Sequence, residues 1–306
     1  MKNLEVNFLG TNFNNPLILA SGVLGVTSGS WKRVVELGAG GITTKSVFSK
    51  PHQGHPNPVM FGTENYFLNA VGLSDAGIKK AQAEVAEFYK QKPSPLIFSI
   101  AGGTENDFVE VAEKVNEISP DFVEVNISCP NVESEFGKPF AADSVSASKI
   151  CKIVKTKTKT PIIVKLSPNV ENIAKIAKSV ENAGADAICA INTVGPGMRF
   201  NLDLQAPILA NRVGGLSGPA IFPIAVRAVF EIYRSVKIPI IATGGINSGK
   251  DALEIMAAGG TLCGIGTAIY FHGDDFWKQA KQEMSDWLEK NNIKNVSKII
   301  GMFHKN

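Results

Sequence analysis

The hexapeptide Asn126-Ile127-Ser128-Cys129-Pro130-Asn131 places a thiol between two carboxamides, directly after the run Phe122-Val123-Glu124-Val125. The run reads as a buried strand, and the proline stops it from pairing further. A thiol can move a proton, and a carboxamide can hold a planar polar molecule through its donors and acceptor. Together they read as an active site, not as packing. Lys45 and Lys165 are a second signal, because each stands at the end of an otherwise apolar strand, Lys45 after 41–44 and Lys165 within 161–166. A lysine at a strand end is often simply solvated, but a buried ammonium needs an anion or a hydrogen-bond partner. Glycine pairs supply a third, in Thr243-Gly244-Gly245-Ile246 and Gly264-Ile265-Gly266-Thr267. Glycine lets backbone N–H groups approach an anion, so a phosphate-bearing cofactor or substrate is expected there, with tight turns as the plainer reading. The spacing alone does not separate flavin from sugar phosphate.

These groups need a scaffold that brings distant segments together. The chain contains eight short apolar runs: 16–20, 41–44, 95–100, 122–127, 161–166, 187–191, 239–242 and 262–265. Continuous rather than alternating apolarity marks parallel strands buried on both faces. Helical spacing falls between most of them, at 108–118, 145–154, 170–182, 220–235 and 251–258. The pattern predicts an α/β fold, a (β/α)8 TIM barrel with its active site at the C-terminal ends of the strands, as one domain over residues 1–306. A doubly wound open sheet is the alternative, but no GxGxxG opens a helix after the first run. Ser21, Lys45, Ser46, Ser99, Asn126, Cys129, Lys165, Asn192 and Thr193 then share one mouth with the two glycine pairs. Two long connections, 46–91 and 193–219, leave the same face. Long loops in a compact domain are usually functional.

Composition narrows the function classes. Hydrophobic residues make up 44% of 306, enough for a large core, and the net charge of +3 is spread among interspersed acids and bases. Neither a nucleic-acid groove nor a polybasic membrane patch is expected. The basic stretch Lys152 to Lys159 reads as a solvated helix end. No apolar stretch reaches the ~18 residues of a membrane span, and the N-terminus has no signal-peptide pattern. A cytoplasmic location is expected. The four cysteines, 129, 151, 189 and 263, form no CxxC pair, so neither a disulfide framework nor a cluster on this chain is expected. Cys151, Cys189 and Cys263 read as inert core thiols. His52 and His55 share a loop without a third ligand, so no metal site is expected.

Four segments carry a family resemblance: Asn126 to Asn131, Thr44-Lys45-Ser46, Leu68-Asn69-Ala70-Val71-Gly72-Leu73 and Gly214-Gly215-Leu216-Ser217-Gly218-Pro219-Ala220. With them the chain, from about Leu4 to Tyr270, resembles class 1 dihydroorotate dehydrogenases, and the two glycine-containing loops resemble the 1B subclass. The resemblance implies one FMN per chain, with its phosphate on Gly244, Gly245, Gly266 and Thr267. Ser21, Gly22, Ser99, Asn126, Ile191 and Gly218 would complete that site. Lys45 and Ser46 would approach the flavin ring, and Lys165 would lie near its pyrimidine edge. Dihydroorotate would be held by Asn69, Asn126, Asn131, Asn192 and Thr193 and by the segment Ala70-Val71-Gly72-Leu73. Lys45 would meet its carboxylate, and Cys129 would take the C5 proton while C6 delivers hydride.

The resemblance also implies partners: a homodimer core joined by a subunit carrying FAD and a [2Fe-2S] cluster, as a heterotetramer that passes electrons to NAD+. A class 1A-like enzyme using fumarate or another soluble acceptor, and an FMN-dependent reductase of pyrimidine bases, are alternatives. From other classes, a non-catalytic binding barrel and a flavin-free aldolase using Lys165 as a Schiff-base amine are alternatives, but neither needs the cysteine–asparagine loop. Ser99 departs from the family pattern, which commonly has asparagine there.

Overall fold

The computed structural model describes residues 3–128 and 139–305. All eight apolar runs form parallel strands: β1 (Leu17–Leu19), β2 (Gly41–Thr43), β3 (Leu96–Ile100), β4 (Phe122–Asn126), β5 (Ile162–Lys165), β6 (Ala187–Ala190), β7 (Ile240–Thr243) and β8 (Leu262–Ile265). Each pairs with the next and β8 pairs with β1, which closes the barrel in chain order. Nearly every strand residue is buried, as strands covered by helices outside and packed side chains inside must be.

A helix follows each strand: α1 (Ser28–Leu37), α2 (Ile78–Tyr89), α3 (Glu105–Ile118), α4 (Ser144–Lys157), α5 (Ile173–Asn182), α6 (Phe222–Ser235), α7 (Gly249–Ala257) and α8 (Phe276–Lys290). Their starts are fixed locally by side-chain caps. Thr104 and Asp107 form a capping box on α3. Thr27, Asp143, Asn172 and Ser248 cap α1, α4, α5 and α7. The helix expected from Val170 begins at Ile173, because Asn172 takes the cap position and accepts from the Lys175 amide at 2.9 Å. The basic end of α4 is a solvated helix end with acidic neighbours: Lys157 Nζ lies 2.7 Å from Glu113 and Lys155 Nζ 2.5 Å from Asp186.

An N-terminal hairpin, Val6–Phe8 against Thr11–Phe13, closes the far end of the barrel. Phe8 and Phe13 pack on Phe122, the first residue of β4, with ring centroids 5.5 and 6.2 Å away. With that end plugged by aromatic rings, chemistry is left to the C-terminal mouth.

The two long connections meet each other there. Met60–Gly62 and Phe67–Asn69 come from the first, and Val194–Met198 and Val213–Ser217 from the second. They pair into one four-stranded antiparallel sheet, in which Gly215 stands opposite Asn69 and Leu216 opposite Leu68. Among the described residues no helix is long and apolar enough to cross a membrane.

Candidate active site

Every barrel strand delivers a polar or glycine residue to the mouth, and the register decides which of them meet. In β4, Phe122, Glu124 and Asn126 share one face, since side chains alternate along a strand. Ser99 of β3 stands opposite Glu124, and Lys165 of β5 opposite Asn126. The result is a continuous polar network inside an apolar barrel. Lys165, only 5% exposed, places Nζ 2.9 Å from Ser21 Oγ at the end of β1 and 3.8 Å from Glu124 Oε2. The buried ammonium thus has the anion that burial requires.

From Glu124 the network turns toward β2. Ser99 Oγ donates to Glu124 Oε1 at 2.7 Å. Ser46 Oγ lies 2.8 Å from Ser99 Oγ, and Asn126 Nδ2 donates to Ser46 Oγ at 3.0 Å. Asn126 Oδ1 accepts from the Ser128 amide and hydroxyl, and Asn192 Nδ2 donates to Ser128 Oγ at 3.0 Å. Ser21, Ser46, Ser99, Asn126, Lys165 and Asn192 are therefore brought together as expected. Ser99 is fully buried, with its hydroxyl engaged by Glu124 and Ser46, so it reaches the mouth through Ser46. Ile191 is buried directly beneath Gly244, with its Cγ1 3.0 Å from where a Cβ there would stand.

The glycines differ in what they make room for. Among the described residues, a Cβ on Gly22 or Gly266 would meet nothing within 4 Å, so these two border open space at the ends of β1 and β8. Gly245 has φ +73°, and a Cβ there would sit 2.6 Å from the amide nitrogen of Phe222, the first residue of α6. The end of β7 thus packs directly on the start of a long helix, where orphan N–H groups gather. Thr267 follows Gly266 and leads into a short helix, Ala268–His272. Gly218, with φ +89°, precedes the turn into α6.

The covering sheet positions the segment from Asn69 to Leu73. Asn69 Nδ2 donates to Gly215 O at 3.4 Å. A Cβ on Gly215 would lie 2.0 Å from Thr193 Oγ1, so glycine is needed for this close approach. The Thr193 hydroxyl is buried with no partner among the described residues, an unmet polar group beside Asn192. Ala70 N is held by Val59 O, and Val71 O accepts from His55 N. Gly72 takes φ +69° against the His55 ring.

The two histidines thus build the loop: His52 pairs with Asp75 through backbone bonds in both directions and stacks on Phe48 at 4.8 Å. Asp75 Oδ1 accepts from Gly77 N and Phe48 N. Burial raises the Asp75 pKa, opposed by those bonds and by the nearby Lys45 charge. Lys45, at the end of β2, is anchored by its amide to Gly25 O at 2.7 Å.

Three cysteines are buried free thiols. Burial pushes Cys151 and Cys189 up to about 12, with the adjoining Glu124 charge adding to the effect at Cys189. Burial raises Cys263 as well. Cys129 and Asn131 lie outside the described residues. Among those described, no group of three His, Cys, Asp or Glu side chains could hold a metal ion.

Sequence reading missed Glu124, which passed as part of an apolar run. Its signal was available: a charge in mid-strand, two residues from Asn126 and on the same face.

The family model described as dihydroorotate dehydrogenase matches residues 3–288. The chain belongs to the dihydroorotate dehydrogenase family. It is 39% identical over 305 residues to the catalytic subunit of dihydroorotate dehydrogenase B (NAD(+)) from Methanocaldococcus jannaschii, covering 99% of this chain and 98% of that one. The corresponding subunit from Methanosarcina acetivorans is 40% identical over 301 residues, covering 98% and 96%. A crystal structure of the Eimeria tenella enzyme in complex with ferulenol shares the fold, with a TM-score of 0.86 at 21% identity, covering 99% of this chain and 89% of that one.

Proposed function

We propose that this chain oxidises dihydroorotate to orotate, a step of pyrimidine biosynthesis, as the FMN-bearing catalytic subunit of an NAD+-linked enzyme. The observation that carries the reading is the Lys165–Ser21 contact at the centre of a ring of strand-end amides and hydroxyls. The residues suit FMN. Gly22 and Gly266 leave open space at the mouth, and Gly245 packs on the start of α6. Gly244, Gly245, Gly266 and Thr267 would hold the phosphate, with Ser21, Ser46, Asn126, Ile191, Lys165 and Gly218 around the rest. When bound, FMN supplies the hydride acceptor that no side chain provides.

The chain's own groups do the remaining work. Lys165 holds a positive charge at the mouth, where negative charge develops as electrons arrive. Asn126 and Asn192, locked through Ser128, present amides of fixed orientation to a planar ring that carries its own amides and carbonyls. Asn69 and Thr193 approach the same space from the covering sheet, and the buried Thr193 hydroxyl awaits a partner there. Lys45 would meet the substrate carboxylate, and Asn131 would add a further amide. Cys129 would take the C5 proton as base.

An electron-transfer subunit carrying FAD and a [2Fe-2S] cluster, joined to a homodimer of this chain in the cytoplasm, fits the naming of the relatives as catalytic subunits of an NAD(+) enzyme. The test is anaerobic mixing of the purified chain with dihydroorotate, following flavin absorbance near ~450 nm. Bleaching is expected. A yellow protein that stays yellow overturns the substrate assignment, and a protein that takes up no FMN overturns the flavoenzyme reading.

A further inference from the structure

Glu124 is 2% exposed, in the middle of a parallel barrel strand, with its carboxylate inside the barrel. Nothing in the proposed chemistry uses it directly, yet both of its oxygens are engaged. Oε2 faces Lys165 Nζ at 3.8 Å, and Oε1 accepts from Ser99 Oγ at 2.7 Å. We propose that Glu124 is a positioning residue for the flavin site, holding Lys165 on one oxygen and fixing the direction of the Ser99–Ser46–Asn126 chain with the other. The inference rests on the FMN-dependent reading above.

The direction follows from donor and acceptor chemistry. A carboxylate accepts only, so the Ser99 hydrogen must point at Glu124. Ser99 Oγ then accepts from the Ser46 hydroxyl at 2.8 Å, and Ser46 Oγ accepts from Asn126 Nδ2 at 3.0 Å. The far end agrees independently. The Ser128 backbone N–H can only donate, so the oxygen of the Asn126 amide must face it, which turns Nδ2 toward Ser46. Both ends impose one arrangement, and no described residue takes the second Nδ2 hydrogen of Asn126, which is left for a bound molecule. On the other arm, a buried ammonium with a carboxylate beside it and Ser21 Oγ 2.9 Å beyond is held in one place with its charge partly offset. Glu124 therefore acts on the flavin through Lys165, and on the substrate amides through Ser99.

The test compares FMN-loaded wild type, E124Q, K165M and the double variant, using sulfite affinity and the rate of flavin bleaching by dihydroorotate. Sulfite adds to the oxidised flavin ring and places negative charge there, so its affinity reads the local positive charge without turnover. E124Q removes the offset on Lys165 and is expected to bind sulfite about tenfold more tightly, while the misplaced amides slow bleaching by about 10–100-fold. In the K165M background, the cation that Glu124 offsets is gone. E124Q should then change sulfite affinity less than it does beside Lys165.

Equal sulfite affinity in wild type and E124Q, or the same E124Q effect with and without Lys165, overturns the inference while leaving the functional reading intact. A wild type that binds no FMN overturns both. Should E124Q fail to accumulate, S99A carries the second arm: bleaching about tenfold slower at unchanged sulfite affinity supports it, and wild-type bleaching refutes it.

Discussion

Lys165 and Ser21 are 144 positions apart in sequence, and their side chains meet at 2.9 Å across the barrel mouth. The contact exists because closure of the parallel barrel sets β5 and β1 on opposite sides of one ring, with their C-terminal ends on the same face. Replacing Lys165 with methionine removes the ammonium at the flavin and strands Glu124 in the barrel. Bleaching by dihydroorotate should slow by about 10²-fold or more. The stranded carboxylate should cost about 3–5 kcal/mol of folding stability. Urea unfolding is expected to show much of that loss recovered in K165M/E124Q, where the unpaired charge is gone.

Gly266 and Gly215 should respond oppositely to alanine. At Gly266 the new methyl meets none of the described residues within 4 Å, so thermal stability of the flavin-free chain should be unchanged while FMN affinity falls. At Gly215 it would collide with Thr193 Oγ1 at 2.0 Å and disturb the pairing with Asn69. G215A should lose about 1–3 kcal/mol and raise KM for dihydroorotate, measured by thermal unfolding and steady-state kinetics.

Thiol chemistry should separate Cys129 from the other three. Cys151 and Cys189, pushed up to about 12, and Cys263, raised by burial, stay protonated at pH 8 and should resist alkylation in the folded protein. Mass spectrometry after iodoacetamide treatment should find Cys129 modified alone, with protection by orotate.

A base must lose its proton first, and an ordinary thiol does so around pH 8.5. Flavin reduction should therefore rise from pH 6 toward an alkaline plateau. C129A should abolish that rise and lower the rate by about 10²–10⁴-fold. A profile flat across this range counts against Cys129 as base.

Asp75 gives a pH test of the covering loop. Its folded pKa is raised above the unfolded value by burial, so its ionisation opposes folding. The stability it contributes is present below the unfolded pKa and is lost as pH rises through the folded one. D75N keeps an acceptor for Gly77 N and Phe48 N without the charge. Urea unfolding should show D75N gaining on wild type as pH rises above about 4, the ordinary carboxylate value. A constant difference across pH 3–7 would assign Asp75 no such burial cost.

The sequence by itself determined the barrel and the identity of most groups at its mouth. Two-sided burial forces parallel strands into continuous apolar runs, so all eight could be read directly, and residues that break such a run at its end, such as Lys165 and Asn126, announce themselves. Only the tertiary structure decided who meets whom. Glu124 read as part of an apolar run because its meaning depends on register, which sets Ser99 opposite it and brings Lys165 within reach from the neighbouring strand. The two long connections looked like separate loops, yet they form one sheet in which Asn69 and Gly215 pair across 146 positions. Local propensity carries no information about such pairings. They are fixed by closure of the barrel, which places all eight strand ends, and whatever leaves them, on one face.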